Sequence, residues 1–287
     1  MSLARTSFWV IYMLDLLAPF LVRAYVAIVL SAAAAAAGAV AVLRGVSYLP
    51  AEASHAALGG VSIAVFLGFI LSVDLDPFYF AILFSACSAV LVAYAGGRLD
   101  RDAINSALGG VMAVSLAVYA LLRALVPANM KTVIDGYLIG DILILTTKDL
   151  IQLGVTVLVA VFFEVLFYHE IMYICFDAEG AEAMGIRVKF YDYLMFFLMG
   201  LSGGLMAKVF GSLLVFALVM APAAAARMFS SNVKNYLINT TLLTVSLGFL
   251  GLFVSIVLNL PSSGVIAGFT SAAYILSLAY SKAVRQK

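Results

Sequence analysis

Glu52 and His55 lie three residues apart in the stretch PAEASHAALGG, residues 50–60. On a helix that spacing puts both side chains on one face. A carboxylate beside an imidazole suits a divalent transition ion such as zinc or manganese. The small residues after His55 would leave room beside the pair for a path. A plainer reading stands next to this one: Glu52 starts a helix, where an acid meets the positive dipole end, and His55 is a satisfied polar side chain. Three more residues stand out. Glu164 sits within an apolar run, where an ionisable group costs ~3 kcal/mol to insert and marks a functional site, a polar partner at a helix interface or a residue near the headgroups. Asp141, in IGDILIL, either meets an entering cation or docking protein or does nothing specific. Pro222, in VMAPAAAARM, interrupts an apolar run and frees backbone carbonyls, which is tolerated where neighbours pack around the kink or a cavity lies beside it.

Other chemistries lack their signatures. There is no GxxxxGK[ST] phosphate loop, so the chain does not bind ATP by that route. There is no HExxH and no Cys/His cluster; Cys87 and Cys175 are expected to be free thiols. The histidines, His55 and His169, are far apart, and no local motif supports a hydrolase. Sixteen bases against 15 acids give a net charge of +1. That balance carries no electrostatic footprint for nucleic acid.

The elements that position these residues must be membrane helices. The chain is 65% hydrophobic and 11% charged, where a soluble domain carries about 25% charged residues. Its apolar residues fall into runs long enough to cross ~30 Å of hydrocarbon; a β-barrel would show short alternating segments. The expected fold is all-α: a single polytopic helix bundle over residues 1–287 with about nine spans. These are residues 24–43, 56–71, 78–94, 103–122, 150–171, 191–207, 211–227, 238–258 and 265–280. Residues 7–20, interrupted by Asp15 and Pro19, are a further crossing or a re-entrant or interfacial helix. A polar link runs to about Ser54, and residues 123–149 read as the longest irregular stretch. The start MSLARTSFWVIYMLDL has no small-residue cleavage site, so no signal peptide is expected.

Residues 176–189, FDAEGAEAMGIRVK, are too polar for hydrocarbon and read as a short helix stopped by glycine. Basic residues favour the cytoplasmic side. With the basic tail inside, Lys282, Arg285, Lys287, Arg227, Lys234, Arg187, Lys189, Arg98, Arg101 and Arg44 fall inside, and Lys208, Lys148, Lys131, Arg123 and Arg23 outside. Ten against five supports a cytoplasmic C-terminus, with residues 176–189 in the cytoplasm of a multi-pass cell-membrane protein.

Five stretches, in order, resemble the ABC-3 class of permease subunits from zinc, manganese or iron importers. They are LRGVSYLPAEASHAALGGVSIA, DGYLIGDILILTTKDL, FDAEGAEAMGI, FGSLLVFALVMAPAAAARMF and NLPSSGVIAG. The resemblance runs from about residue 20 to 280 and implies a type II importer fold. It implies two copies in the lipid bilayer enclosing one path, cytoplasmic ATP-binding subunits on separate chains, and an extracellular or periplasmic metal-binding protein docking outside. It implies no permanent cofactor, only a transported Zn or Mn ion. Residues 176–189 would supply the coupling helix, with Asp177, Glu179, Ala181 and Gly185 as motif positions. The family's path motif is Asp–Ala–Leu–Ser–His. His55 fits it, while the Asp position is Ala51 and the nearest acid is Glu52. An importer for a metal chelate such as a siderophore or cobalamin is the alternative.

Overall fold

The computed structural model describes residues 3–97 and 101–285, with side chains described over 19–97 and 102–281. Arg98 and Lys287, and the side chains of Arg101, Lys282 and Arg285, therefore lie outside the described residues, although the charge count above includes them. Twelve helices and one 3-10 turn make up the described chain, without a strand. The long ones are α1 (Leu3–Arg44), α2 (Leu49–Leu71), α3 (Pro77–Gly96), α4 (Arg101–Leu125), α6 (Thr147–Leu166), α9 (Val188–Phe210), α11 (Val233–Leu258) and α12 (Ser262–Arg285). All eight contain a stretch long and apolar enough to cross a membrane. α10 (Val215–Arg227) is a shorter apolar ninth. The bundle expected from the sequence is thus present.

The differences have local causes. α2 starts at Leu49, with Pro50 in its first turn, where a missing N–H costs nothing. Glu52 and His55 are therefore inside the helix, and no polar link reaches Ser54. Residues 7–20 are not a separate element: α1 runs unbroken through Pro19, and its 42 residues extend about 63 Å. The stretch 123–149 is largely ordered into α5 (Ala128–Ile139) and a 3-10 turn (Ile142–Ile144). The run 150–171 breaks at Phe167, which packs on Phe163, Phe190 and Tyr191; α7 (Tyr168–Phe176) follows. α8 (Ala178–Ala183) then leads to α9.

Successive membrane helices alternate in direction, with the short α10 supplying the return between α9 and α11. One end of the bundle, the near end, gathers residues 45–48, 167–187 and 228–232. The far end gathers 72–76, 126–146 and 259–261; the bend at 211–214 meets it at Tyr137 and Gly140 and also reaches Ser54 near the start of α2. Arg44, Arg187, Lys189, Arg227 and Lys234 belong to the near end, and Arg123, Lys131, Lys148 and Lys208 to the far end, as the charge count sorted them. Where helices meet in lipid, close approach of backbones replaces the hydrophobic drive. α2 illustrates this against α3, α4 and α9. A Cβ on Gly203 of α9 would lie 2.6 Å from the Ala53 Cβ of α2. Gly60 lies against the Phe80 carbonyl, and Gly59 against Phe84 and the Ser115 carbonyl. Ala56, Ala57, Leu58, Gly59 and Gly60 are all buried. The small residues after His55 are thus filled by neighbouring helices, and the room expected beside them does not exist.

Candidate translocation and coupling sites

The first turns of α2 set the geometry of His55. Its Nδ1 lies 2.7 Å from the Ala51 carbonyl. A carbonyl only accepts, so Nδ1 carries a proton, and in the neutral ring Nε2 then has the lone pair. That is the tautomer a metal ligand needs. Ser54 Oγ lies 2.8 Å from the same Ala51 carbonyl and 3.2 Å from the Ser212 carbonyl, tying α2 to the bend between α9 and α10.

His55 and Glu52 face different surroundings. Ala51 and His55, one turn apart, are half-exposed. Tyr48 extends this open strip and stacks on Phe216 of α10, with ring centroids 5.4 Å apart and planes at 10°. Leu213 and Phe216 are the exposed residues beside it. Glu52 is 1% exposed and turned into the bundle. Its Oε2 accepts a long 3.4 Å hydrogen bond from Ser88 of α3, and Oε1 has no partner. Ser88 lies eight residues, about 12 Å, inside the near end of α3. A buried carboxylate oxygen without a partner is costly in lipid, and such groups cluster at functional positions. Among the described residues, no three His, Cys, Asp or Glu side chains gather to hold a metal.

The far end is a polar cap that sequence reading missed. Asp141 is exposed; its Oδ1 accepts from the Leu143 N–H at 3.0 Å and the Ser262 hydroxyl at 3.2 Å. Ser263 donates to the Gly140 carbonyl at 2.9 Å. Gly140 and Gly211, both at positive φ, meet backbone to backbone, and the Ser212 N–H donates to the Tyr137 carbonyl at 2.9 Å. Arg123 grips Asp135 with two bonds, at 2.7 and 2.8 Å. Lys208 pairs with Asp149 at 3.1 Å and lies 4.9 Å above the Tyr137 ring. Asp76 accepts from Lys148 at 2.7 Å and Gln152 at 2.8 Å. Burial pushes the Asp76 carboxyl up, but Lys148, the Phe78 N–H and Gln152 outweigh it and hold it below the usual carboxylate range. Arg123 does the same for Asp135 against a smaller burial effect. Burial raises the Tyr137 phenol, with Asp76 and Asp149 adding to it, so the hydroxyl stays protonated. None of these pairs has a sequence spacing that announces it. The exception is Thr146-x-x-Asp149, a reciprocal capping box at the start of α6.

The remaining candidates lie apart from His55. Glu164 lines a cavity of about 280 Å³ between α1, α6, α7, α9 and α11. Pro222 is buried inside α10, which continues through it rather than breaking.

At the near end, α8 is built as the sequence suggested. Asp177 caps it, Oδ1 accepting from the Gly180 N–H at 2.8 Å. Gly185, at φ 82°, closes it: its N–H reaches the Glu182 carbonyl and the Ile186 N–H the Ala181 carbonyl, both at 3.0 Å. This pair of bonds is the Schellman motif. Ala181 is fully buried against Ile174 and Val188. Asp177, Glu179, Glu182 and Met184 face outward beside Phe176. Just past α8, Arg44 at the end of α1 donates to Asp192 of α9 at 3.1 Å.

Fold and sites together define a multi-pass, all-helical membrane protein with one half-open helix face and an outward-facing helix at one end. The ABC 3 transport family model matches residues 18–281, and the chain belongs to that family. It is 29% identical over 252 residues to the Manganese import system permease protein ScaB of Streptococcus gordonii, covering 88% of this chain and 87% of that protein. It is 26% identical over 225 residues to the Manganese transport system membrane protein MntC of Listeria monocytogenes, covering 78% and 77%. Among solved structures, PsaBC from Streptococcus pneumoniae in complex with Fab matches with a TM-score of 0.76 and 27% identity over 90% of each chain.

Proposed function

We propose that this chain is the permease subunit of an ATP-driven importer of divalent transition-metal ions, with manganese the first candidate and zinc the second. The observation that carries this reading is His55: Nδ1 is held by the Ala51 carbonyl, Nε2 has no partner among the described residues, and the residue sits on the half-open face of α2 in an ABC 3 family chain. The metal is cargo. His55 would offer it one nitrogen, while Glu52, buried one turn earlier, supplies negative charge behind the path. One copy presents too few ligands for a full coordination sphere, which supports a homodimer whose second copy faces the Tyr48–Ala51–His55 strip. A borderline ion held by few ligands can also be released.

Hydrolysis of ATP belongs to separate subunits. Asp177, Glu179, Ala181 and Gly185 form the segment, within residues 176–189, that those subunits would grip. Asp177 and Gly185 shape α8, Ala181 seats it and Glu179 faces the partner. The near end is then cytoplasmic and so is the C-terminus. The far end, with Asp141 exposed, receives an external metal-binding protein. Pro222 enters as a position within α10, whereas Glu164, on a separate cavity, is given no part in the path. The likeness to a metal-chelate type transporter, at 20% identity, speaks to fold alone and gives the chelate alternative no further support.

The test is uptake of radiolabelled manganese, then zinc, into proteoliposomes holding the chain with its ATPase and binding protein. His55→Ala should lower uptake at least tenfold at unchanged assembly, since removing a charge-assisted or metal-directed contact costs about 1.5–3 kcal/mol. Normal uptake by this variant would remove His55 from the mechanism.

A further inference from the structure

The cavity beside Glu164 is separate from the path and from the coupling helix. Its walls come from Ala33 and Ala37 of α1, Val161 of α6, Met195 of α9 and Thr241 of α11. Glu164 is the only ionisable acid or base in the lining; Tyr168 and Thr241 are the only other polar side chains. Among the described residues no hydrogen bond or ion pair reaches its carboxylate, and no Lys, Arg or His borders the space. The cavity is open at Val165, which is 70% exposed, and the neighbouring Phe162 and Leu166 are exposed as well. Glu164 lies two residues from the near end of α6, about 3 Å along the helix. It is therefore close to the end of α6, beside the break at Phe167.

An anionic ligand has no counter-charge here, and a wholly apolar one leaves the carboxylate unpaired. An amphiphile with an ammonium head and an acyl chain satisfies both parts of the site. We propose that this cavity binds a phospholipid with a primary amine headgroup, its ammonium on Glu164 and its chain between α1, α6 and α9. The amine supplies N–H donors that a trimethylammonium lacks, and a charge-assisted hydrogen bond is about twice as strong as a neutral one.

The complex of this chain with its ATPase, reconstituted in phosphatidylethanolamine–phosphatidylglycerol or phosphatidylcholine–phosphatidylglycerol vesicles and re-extracted in detergent, is assayed for retained lipid by mass spectrometry. The wild-type chain should retain phosphatidylethanolamine above both other lipids. Glu164→Gln keeps the size and removes the charge; it should reduce retained phosphatidylethanolamine about tenfold and leave phosphatidylglycerol unchanged. Ala36→Leu, which narrows the cavity without touching the carboxylate, should reduce it too. Equal phosphatidylethanolamine retention by Glu164→Gln, or equal retention of phosphatidylcholine by the wild-type chain, overturns the proposal. Neither outcome bears on metal transport, so this site and the His55 path fail independently.

Discussion

The two ends of the bundle are held together in different ways. At the near end, α8 is closed by bonds between residues three to five apart: Gly180 to Asp177, Gly185 to Glu182, Ile186 to Ala181. At the far end the bonds join distant parts of the chain. Ser262 and Asp141 are 121 residues apart, Ser263 and Gly140 are 123, Gln152 and Asp76 are 76. α8 is thus a local unit that can move as one body, although the near end around it also has a long-range bond, Arg44 to Asp192. The far end is a clasp that holds α3, α5, α6, α9 and α12 in register. A clasp of this kind transmits strain across the bundle, whereas a local helix passes on whatever pushes it.

The contrast breaks most sharply at the far end. Gly211→Ala should destabilise the purified protein by about 3 kcal/mol, because a Cβ at φ 81° is strained and would strike the backbone of residues 139–140. A thermal unfolding midpoint within error of wild type would show the clasp to be slack. Next comes Asp76→Asn, which weakens the bonds to Lys148 and Gln152 and should cost about 1–2 kcal/mol. Acidification tests the same bonds without mutation. Asp76 and Asp135 sit below their ordinary range, so their contribution is full above the ordinary carboxylate pKa of about 4 and is lost as pH falls through the depressed values. Protection of the amides across 134–149, referred to the slower intrinsic exchange rate in acid, should fall below about pH 4.

Smaller effects are expected at the near end. Asp177→Ala removes the cap of α8 and should cost about 1 kcal/mol locally. Exchange should quicken over 178–184 while the global midpoint stays put; a drop of the whole midpoint would mean α8 is not a local unit. The smallest structural effect belongs to Glu179→Ala, within about 0.5 kcal/mol of wild type. If the coupling reading holds, this variant still hydrolyses ATP with its partner but moves less metal per ATP.

What could be read beforehand follows the same division. α8 was legible because an acid, two glycines and a polar run lie together in fourteen residues, and its bonds are local. The spans were legible because hydrocarbon demands long apolar runs. The clasp was not: Arg123 and Asp135, or Lys208 and Asp149, find each other only after the helices pack. The role given to the small residues after His55 failed for a related reason. A run of Ala and Gly reads equally as open space or as close packing, and only the partner helix decides. Spacing put Glu52 and His55 on one face, but a 60° difference in heading takes one to Ser88 and the other to the open strip.

α10 is 13 residues, about 20 Å, and cannot cross the hydrocarbon alone. It begins just past the glycine bend at 211 and ends at Arg227 on the near side. In mechanical terms it is a short rod with a pivot at one end and its load at the other. A tilt of about 10° about the bend would carry the far tip of a 20 Å rod through about 3.5 Å. The end that swings carries Arg227, while Phe216, stacked on Tyr48, lies beside the pivot, so such a tilt would move the near end of α10 and leave the His55 strip almost in place.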